Sequence, residues 1–291
     1  MAGIALAVIG GSGFYEIPGL ESVEEFTVQT PFGELSDSIR VGTLDGRRVA
    51  FLARHGRSHR LLPSEIPQQA NFWAFKQLGV ERVLSVSAVG SLREDYRPGE
   101  IVVPGQLIDR TNGVRPASFF GEGIVAHVVF AEPFCPEMRR AVRSAASTTG
   151  ATVHDGGAYV VIEGPAFGTR AESELYRQWG ASIVGMTALP EAKLAREAEL
   201  CYAMLASVTD YDAWREGYDA VDARTVMEVL ARNVAVSQDA VRRLLAGLAD
   251  MGACDCRTTL DAALVTPPES ITPLTRDRLK PILARRLGEA V

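Results

Sequence analysis

The chain has 291 residues, 47% of them hydrophobic and 23% charged, with a formal net charge of −6. That length holds one large α/β domain or two small ones, and the apolar share is that of an ordinary soluble globule with an ample core. The acidic balance argues against a nucleic-acid binder, no apolar run reaches membrane-spanning length, and four scattered cysteines are too few for a secreted disulfide scaffold.

Met1-Ala2-Gly3-Ile4 leads into a strand with no basic leader region, so a cytoplasmic protein is expected. Ile4 to Ile9 is a continuous apolar run, suited to a strand buried on both faces, and it ends in Gly10-Gly11-Ser12-Gly13. Such a turn exposes backbone N–H groups that can cradle an anion, or it is purely structural. It is not a dinucleotide fingerprint, because the third glycine would fall at Glu16, and no Lys-Ser/Thr follows to make a P-loop.

Strands are expected over residues 26–30, 35–41 and 48–52, the last two joined by the Asp45-Gly46 hairpin signal. The third runs into Arg54-His55-Gly56, a cation pair at a strand end where functional residues concentrate, with plain surface charge as the alternative. His55 and His59 do not make a metal site by spacing, since no cysteine or HExxH pattern accompanies them. A helix over 67–79 carries an apolar stripe of Ala70, Trp73, Ala74 and Leu78. The buried strand 83–88 then ends in small residues, Ser87-Ala88-Val89-Gly90, which leave room for a ligand or simply cap the strand. After a strand at 101–103 comes a long loop from Asn112 to Gly123, and a loop of that length in a compact domain is functional or lies at an interface.

A helix over 136–149 precedes the stretch 160–194, which reads strand, helix, strand, helix. Its turns carry Glu163-Gly164-Pro165, Gly180 as a C-cap, Gly185-Met186-Thr187 and Pro190 in a first helical turn. Ligands of parallel α/β sheets sit at such strand ends. Cys201 to Val208 is the last long apolar run, and it finishes in Thr209-Asp210-Tyr211-Asp212. Carboxylates at the end of a buried strand are costly without a task. One of them would have a raised pKa and suit a general acid, the alternative being a helix N-cap.

A long amphipathic helix over 221–248, interrupted near Asn233, a loop-like segment 251–271 and a terminal helix 279–287 complete the chain. Cys254-Asp255-Cys256 fits a tight redox-sensitive bridge, a metal pair or two ordinary thiols, and spacing does not choose among them. With no repeat and no linker, 1–291 reads as one domain, with 251–291 as its C-terminal loop and helix. Collected at strand ends, the cations, hydroxyls and backbone donors suit a tetrahedral anion such as phosphate, and the aspartic acid suits protonation of a departing base. The chemistry they suggest is displacement at a sugar carbon with phosphate as nucleophile.

The segments IGGSGF, LARHGRSH, SAVGSLRED, DRTNGVRPASFF, HVVFAEPFCPEMR, VIEGPAFGTRAES, GMTALPEAKLARE and CYAMLASVTDYDAW together resemble the trimeric purine nucleoside phosphorylase family, in its 5'-methylthioadenosine phosphorylase branch. The resemblance implies an α/β fold with a central mixed β-sheet or distorted barrel flanked by helices, a homotrimer, and no metal or organic cofactor. It implies phosphate contacts from Ser12, Arg54, His55, Ser87, Ala88 and Thr187. It further implies Met186 under the ribose with Glu163 beside it, Phe167 on the purine, Asp210 delivering a proton to N7, and Asp212 accepting from a 6-amino group. His127 would close the 5' pocket of a neighbouring subunit, with Ala223 and Val226 lining its apolar part. Two positions depart from the family pattern, Gly168 where a hydroxyl is expected and Gly185 where an asparagine is expected, both on the purine side. The Asp-Tyr-Asp motif leans to a 6-aminopurine. The alternatives are phosphorylases for methylthioinosine, for inosine or guanosine, or for a 5'-halo-5'-deoxyadenosine.

Overall fold

The computed structural model describes residues 3–11, 17–215 and 223–288. The apolar runs form the interior strands: β1 (Leu6–Gly10), β4 (Arg47–Ala53), β5 (Arg82–Ser91) and β11 (Cys201–Asp210). β1 pairs in parallel with β4 and β5, and β11 in parallel with β5. β2 (Glu21–Phe26) and β3 (Ile39–Leu44) extend the β4 side antiparallel. The β3–β4 hairpin turns at Asp45-Gly46, both with positive φ (49° and 76°), as a two-residue hairpin loop requires.

β5 is where the sheet branches. Beyond Ser85 it leaves β1, stays paired with β11, and takes β10 (Ile183–Gly185) antiparallel at Gly90 and Ser91. β10 leads on to β9 (Ala158–Ile162) and β7 (Gln106–Arg110), while β11 leads to β6 (Ile101–Val103) and β8 (Val153–Asp155). The result is a mixed sheet of eleven strands among the described residues, folded about a fork in β5.

Helices cover the sheet on both sides, each by its apolar stripe. α1 (Gln68–Gln77), α4 (Ala188–Glu197) and α8 (Lys280–Leu287) bury Phe72, Phe75, Ala192 and Leu283 in one core cluster. α2 (Pro136–Ser147) and α5 (Ala223–Gly247) bury Val142, Val241 and Leu244 in the cluster opposite. α3 (Arg170–Gln178) starts at a capping box, with Thr169 and Glu172 each satisfying the other's backbone N–H. The central mixed sheet flanked by helices is the architecture expected from the sequence.

Several local expectations are corrected. The strand expected over 26–30 is the exposed edge strand β2 at Glu21–Phe26, whose charged residues carry no apolar pattern. β7, just before the loop expected from Asn112, was not foreseen, because its pairing with β9 supplies what its sequence does not show. α5 runs unbroken past Asn233, whose buried amide donates to Ser207 Oγ at 2.6 Å and so satisfies its polarity across the helix–sheet interface. The segment expected as a loop over 251–271 contains short helical turns, including α6 (Leu260–Ala263), and α7 (Pro273–Arg278) precedes the terminal helix.

Candidate active site

The fork opens a cavity of about 570 Å³, a volume suited to a nucleoside-sized ligand. Its position follows from the branching: Ser87 to Gly90 lie where β5 exchanges partners, with the ends of β4, β10 and β11 around them. β11 carries a bulge here. Val208 pairs with Val89 and Asp210 with Gly90, leaving Thr209 as the extra residue. Bulges of this kind re-aim side chains next to functional sites. Gly90 has to be a glycine at this point, since a Cβ would lie 2.9 Å from Asp210 Oδ1.

Asp210 is held from two sides. Thr209 Oγ1 donates to its Oδ2 at 2.7 Å, and the Asp212 amide donates to its Oδ1 at 2.7 Å. Burial nevertheless pushes its carboxyl up from 3.8, and the charge of Asp212 pushes the same way, against those two hydrogen bonds. Asp212 is also raised, chiefly by burial, with the nearby Ser173 hydroxyl opposing. Asp212 adopts a left-handed backbone (φ 51°), uncommon for a residue with a side chain. Within the 209–212 turn the Asp210 carboxylate thus holds the backbone N–H of Asp212.

Arg54, at the end of β4, also lines the cavity; it is 1% exposed and ion-paired with the fully buried Glu191. It also donates to Val86 O at 3.1 Å, Ile9 O at 3.2 Å and Ser85 Oγ at 2.8 Å. Burial opposes its charge, but Glu191 outweighs burial and holds the guanidinium firmly protonated. Tyr202 donates to Glu191 at 2.8 Å, so the pair is a satisfied internal network. His55 Nδ1 donates to Leu61 O at 2.8 Å, which leaves Nε2 as its free ring nitrogen. Burial lowers the His55 pKa to about 4, with the Arg54 charge adding to the effect. Ser87 lines the same cavity, and its buried Oγ has no hydrogen-bonding partner among the described residues. Thr187 directly precedes α4, whose second residue Leu189 is still extended (φ −120°, ψ 136°), and its hydroxyl lies 3.4 Å from the Tyr159 hydroxyl. A buried guanidinium and a free hydroxyl on one cavity suit an anion. Gly11 and Ala88 also line this cavity, whereas Ser12 lies outside the described residues.

Phe167, Gly168, Met186, Asp212, Ala223 and Val226 line the remaining walls. Phe167 is 44% exposed, an aromatic face at the rim. Glu163 and His127 are not on the walls of this cavity. Glu163 sits just behind it, 2.5 Å from Arg115 Nε, and accepts from the Asn112 amide at 2.8 Å. His127 is exposed on a stretch whose backbone is held by Ala263 O at 2.8 Å.

Sequence reasoning missed Arg115, Glu191 and Tyr159. Arg115 reaches from the long loop and donates to Met186 O at 2.7 Å, Leu189 O at 2.8 Å and Ile162 O at 3.3 Å, so it clamps the ends of β9 and β10 together. The loop's length signalled a task, though not which residue performs it. Glu191 is one of two acids in α4, with Glu197, and nothing in the sequence singles it out. Tyr159 fills the space beside Gly185, where a Cβ would lie 2.5 Å from its hydroxyl. No residue spacing could have shown that.

A cavity at the fork of a branched α/β sheet, with an anion site beside a buried acid, is the arrangement of a phosphorolytic enzyme. The chain belongs to the phosphorylase superfamily, whose family model matches residues 5–246. It is 54% identical to S-methyl-5'-thioadenosine phosphorylase of Chloroflexus aurantiacus, over 98% of this chain and 99% of that one. It is 51% identical to the protein of the same name from Koribacter versatilis, over 98% and 97%. Among solved structures, a methylthioadenosine phosphorylase from an antarctic soil metagenomic library superposes with a TM-score of 0.93 at 45% identity, covering 97% of this chain and all of that one. Methylthioadenosine phosphorylase from Schistosoma mansoni, in complex with adenine, superposes with a TM-score of 0.81 at 36% identity, covering 86% and 93%.

Proposed function

We propose that this chain cleaves the N-glycosidic bond of 5'-methylthioadenosine with inorganic phosphate, giving adenine and 5-methylthioribose 1-phosphate. One observation carries the reading: the raised carboxyl of Asp210 and the Ser87 hydroxyl, unpartnered among the described residues, line one cavity from the paired strands β11 and β5. The names of the relatives agree with it.

In this mechanism phosphate lies against Ser87, Thr187, His55 and the Arg54 edge, with Ser12, Ala88 and the Gly11 turn completing its cradle. The purine packs on Phe167, and Asp212 accepts from its 6-amino group. Asp210 protonates N7, so the base leaves as a neutral molecule. The C1'–N9 bond breaks ahead of attack, and the positive charge on the sugar is stabilised by the phosphate anion beneath it. A phosphate oxygen then bonds to C1'. Met186 packs under the ribose, and Glu163, fixed by Arg115, holds that edge. Ala223 and Val226, with Met227 and Leu230 on the same face of α5, form an apolar 5' pocket for the methylthio group. No metal or organic cofactor takes part, and phosphate is a co-substrate.

The assembly proposed is a homotrimer in which His127 reaches a neighbour's 5' pocket. Support comes from exposed Val125, Val129 and Val265 around it, an apolar patch that water does not favour. The compartment proposed is the cytoplasm, in purine and methionine salvage; among the described residues no helix is long and apolar enough to cross a membrane.

The deciding experiment is methylthioadenosine turnover with and without phosphate, following adenine and sugar phosphate. Phosphate-dependent release of both supports the reading, and release without phosphate, or no release, overturns it. Methylthioinosine, inosine and a 5'-chloro-5'-deoxyadenosine belong in the same assay, because Gly168 and Gly185 bear on the choice of base and α5 on the 5' group.

A further inference from the structure

Away from the cavity, all four cysteines of the chain converge on one point. Cys135 caps the N-terminus of α2, Cys201 opens β11, and Cys254 and Cys256 come from the segment that follows α5. Their sulfurs all lie within 4.8 Å of one another. Cys135, Cys201 and Cys256 are buried and Cys254 is half-buried, against the core that α2 and α5 close. None of them lines the active-site cavity.

We propose that Cys135, Cys201, Cys254 and Cys256 bind a structural zinc ion as four thiolates. A tetrahedron of zinc–sulfur bonds near 2.3 Å has sulfur–sulfur edges of about 3.8 Å. The Cys201–Cys254 separation of 3.3 Å and the 4.8 Å limit on all pairs bracket that edge. Two disulfides would ask only for two close pairs, whereas a common centre asks that every sulfur be near every other. The donor set is all soft thiolate and closed, the composition of a structural zinc site with no open position for chemistry. The Met138 amide donates to Cys135 Sγ at 3.5 Å, the kind of N–H···S contact that supports a metal thiolate. Zinc entering four thiols releases four protons and leaves the site with a net charge of −2.

The ion would staple the C-terminal segment to the body of the fold. That segment runs on to α6, where Ala263 O holds the His127 amide and Leu264 bridges Ala126. The staple therefore supports the backbone that carries His127, while the chemistry itself needs no metal.

The test uses the full chain, purified under reducing conditions without chelator from zinc-replete cells. Elemental analysis and native mass spectrometry should find one zinc per chain, and cobalt(II) exchange should give thiolate charge-transfer bands with intense tetrahedral d–d bands. In the C254S/C256S double variant the zinc should fall to background and Tm should drop by roughly 10 °C. A strong chelator should produce the same drop in the wild type, reversed by zinc and not by magnesium. Should the variant not fold, the wild-type metal content decides alone. A metal-free wild type lighter by two or four hydrogens, meaning disulfides, would overturn the proposal, as would four freely reactive thiols with no chelator effect. These readouts are independent of turnover, so they stand or fall apart from the proposed reaction.

Discussion

At the scale of single residues, Asp210 bears most directly on the chemistry. Its carboxyl is raised by burial yet keeps two hydrogen bonds that fix its direction, which suits a positioned acid. Asp210→Asn should lower kcat by about 10²- to 10⁴-fold with a small change in KM, measured by steady-state adenine release. His55 makes a separate prediction about stability. Its pKa falls from 6.5 in the unfolded chain to about 4 in the fold, so the unfolded chain binds more protons between those values. Its contribution is therefore fully present above pH 6.5 and is lost as the pH falls through about 4, on the order of 3 kcal/mol at most. Urea unfolding from pH 7 to 4 should show this slope, and His55→Gln should flatten it. Gly168 and Gly185 differ sharply in the room they offer. A Cβ on Gly168 meets nothing nearer than Asp212 Oδ2 at 3.9 Å, whereas one on Gly185 strikes the Tyr159 hydroxyl at 2.5 Å. Gly168→Ser should leave stability within about 0.5 kcal/mol, and Gly185→Ala should lower it by about 1–3 kcal/mol. Adding Tyr159→Phe should recover part of that loss, as read by denaturant titration.

At the scale of elements, the site depends on how strand ends are tied together. Arg115 carries the tie between the long loop and the ends of β9 and β10, with the partly buried Glu163 as its counter-charge. Arg115→Ala strands that carboxylate and should cost about 3–5 kcal/mol of stability, with KM for the nucleoside rising as Met186 loses its anchor. Calorimetry and kinetics on one preparation check both effects. The elements differ in how clearly the sequence marks them. β1, β5 and β11 are buried apolar runs that announce themselves, and the Asp45-Gly46 turn names its own hairpin. β2, β7 and β8 were not legible, because a short edge or half-exposed strand is defined by its partner rather than by its own pattern. Asn233 misled for a related reason: a polar residue in a helix looks like a break until Ser207 is known to face it.

At the scale of the whole molecule, the exposed valines beside His127 and the open rim at Phe167 bear on assembly. The chain should elute as a trimer by light scattering. Val129→Asp should shift it toward smaller species, and His127→Ala should raise KM for methylthioadenosine about tenfold, or about 1.4 kcal/mol of binding. A monomer with full activity would sink this assembly.

The class of fold, the strand ends where chemistry gathers and, through resemblance to a known family, the reaction to test were legible in the chain alone. That is because buried strands, turn glycines and acids at strand ends are local signals, written in neighbouring residues. Only the tertiary structure decided which distant residues meet: Arg54 with Glu191, Arg115 with Glu163, Tyr159 with Gly185, and four cysteines around one centre. Those partners come from different elements, and their meeting depends on the branching of β5, the bulge in β11 and the return of the C-terminal segment across the core. No periodicity records such a meeting, since the free energy that selects it belongs to packing across the whole sheet.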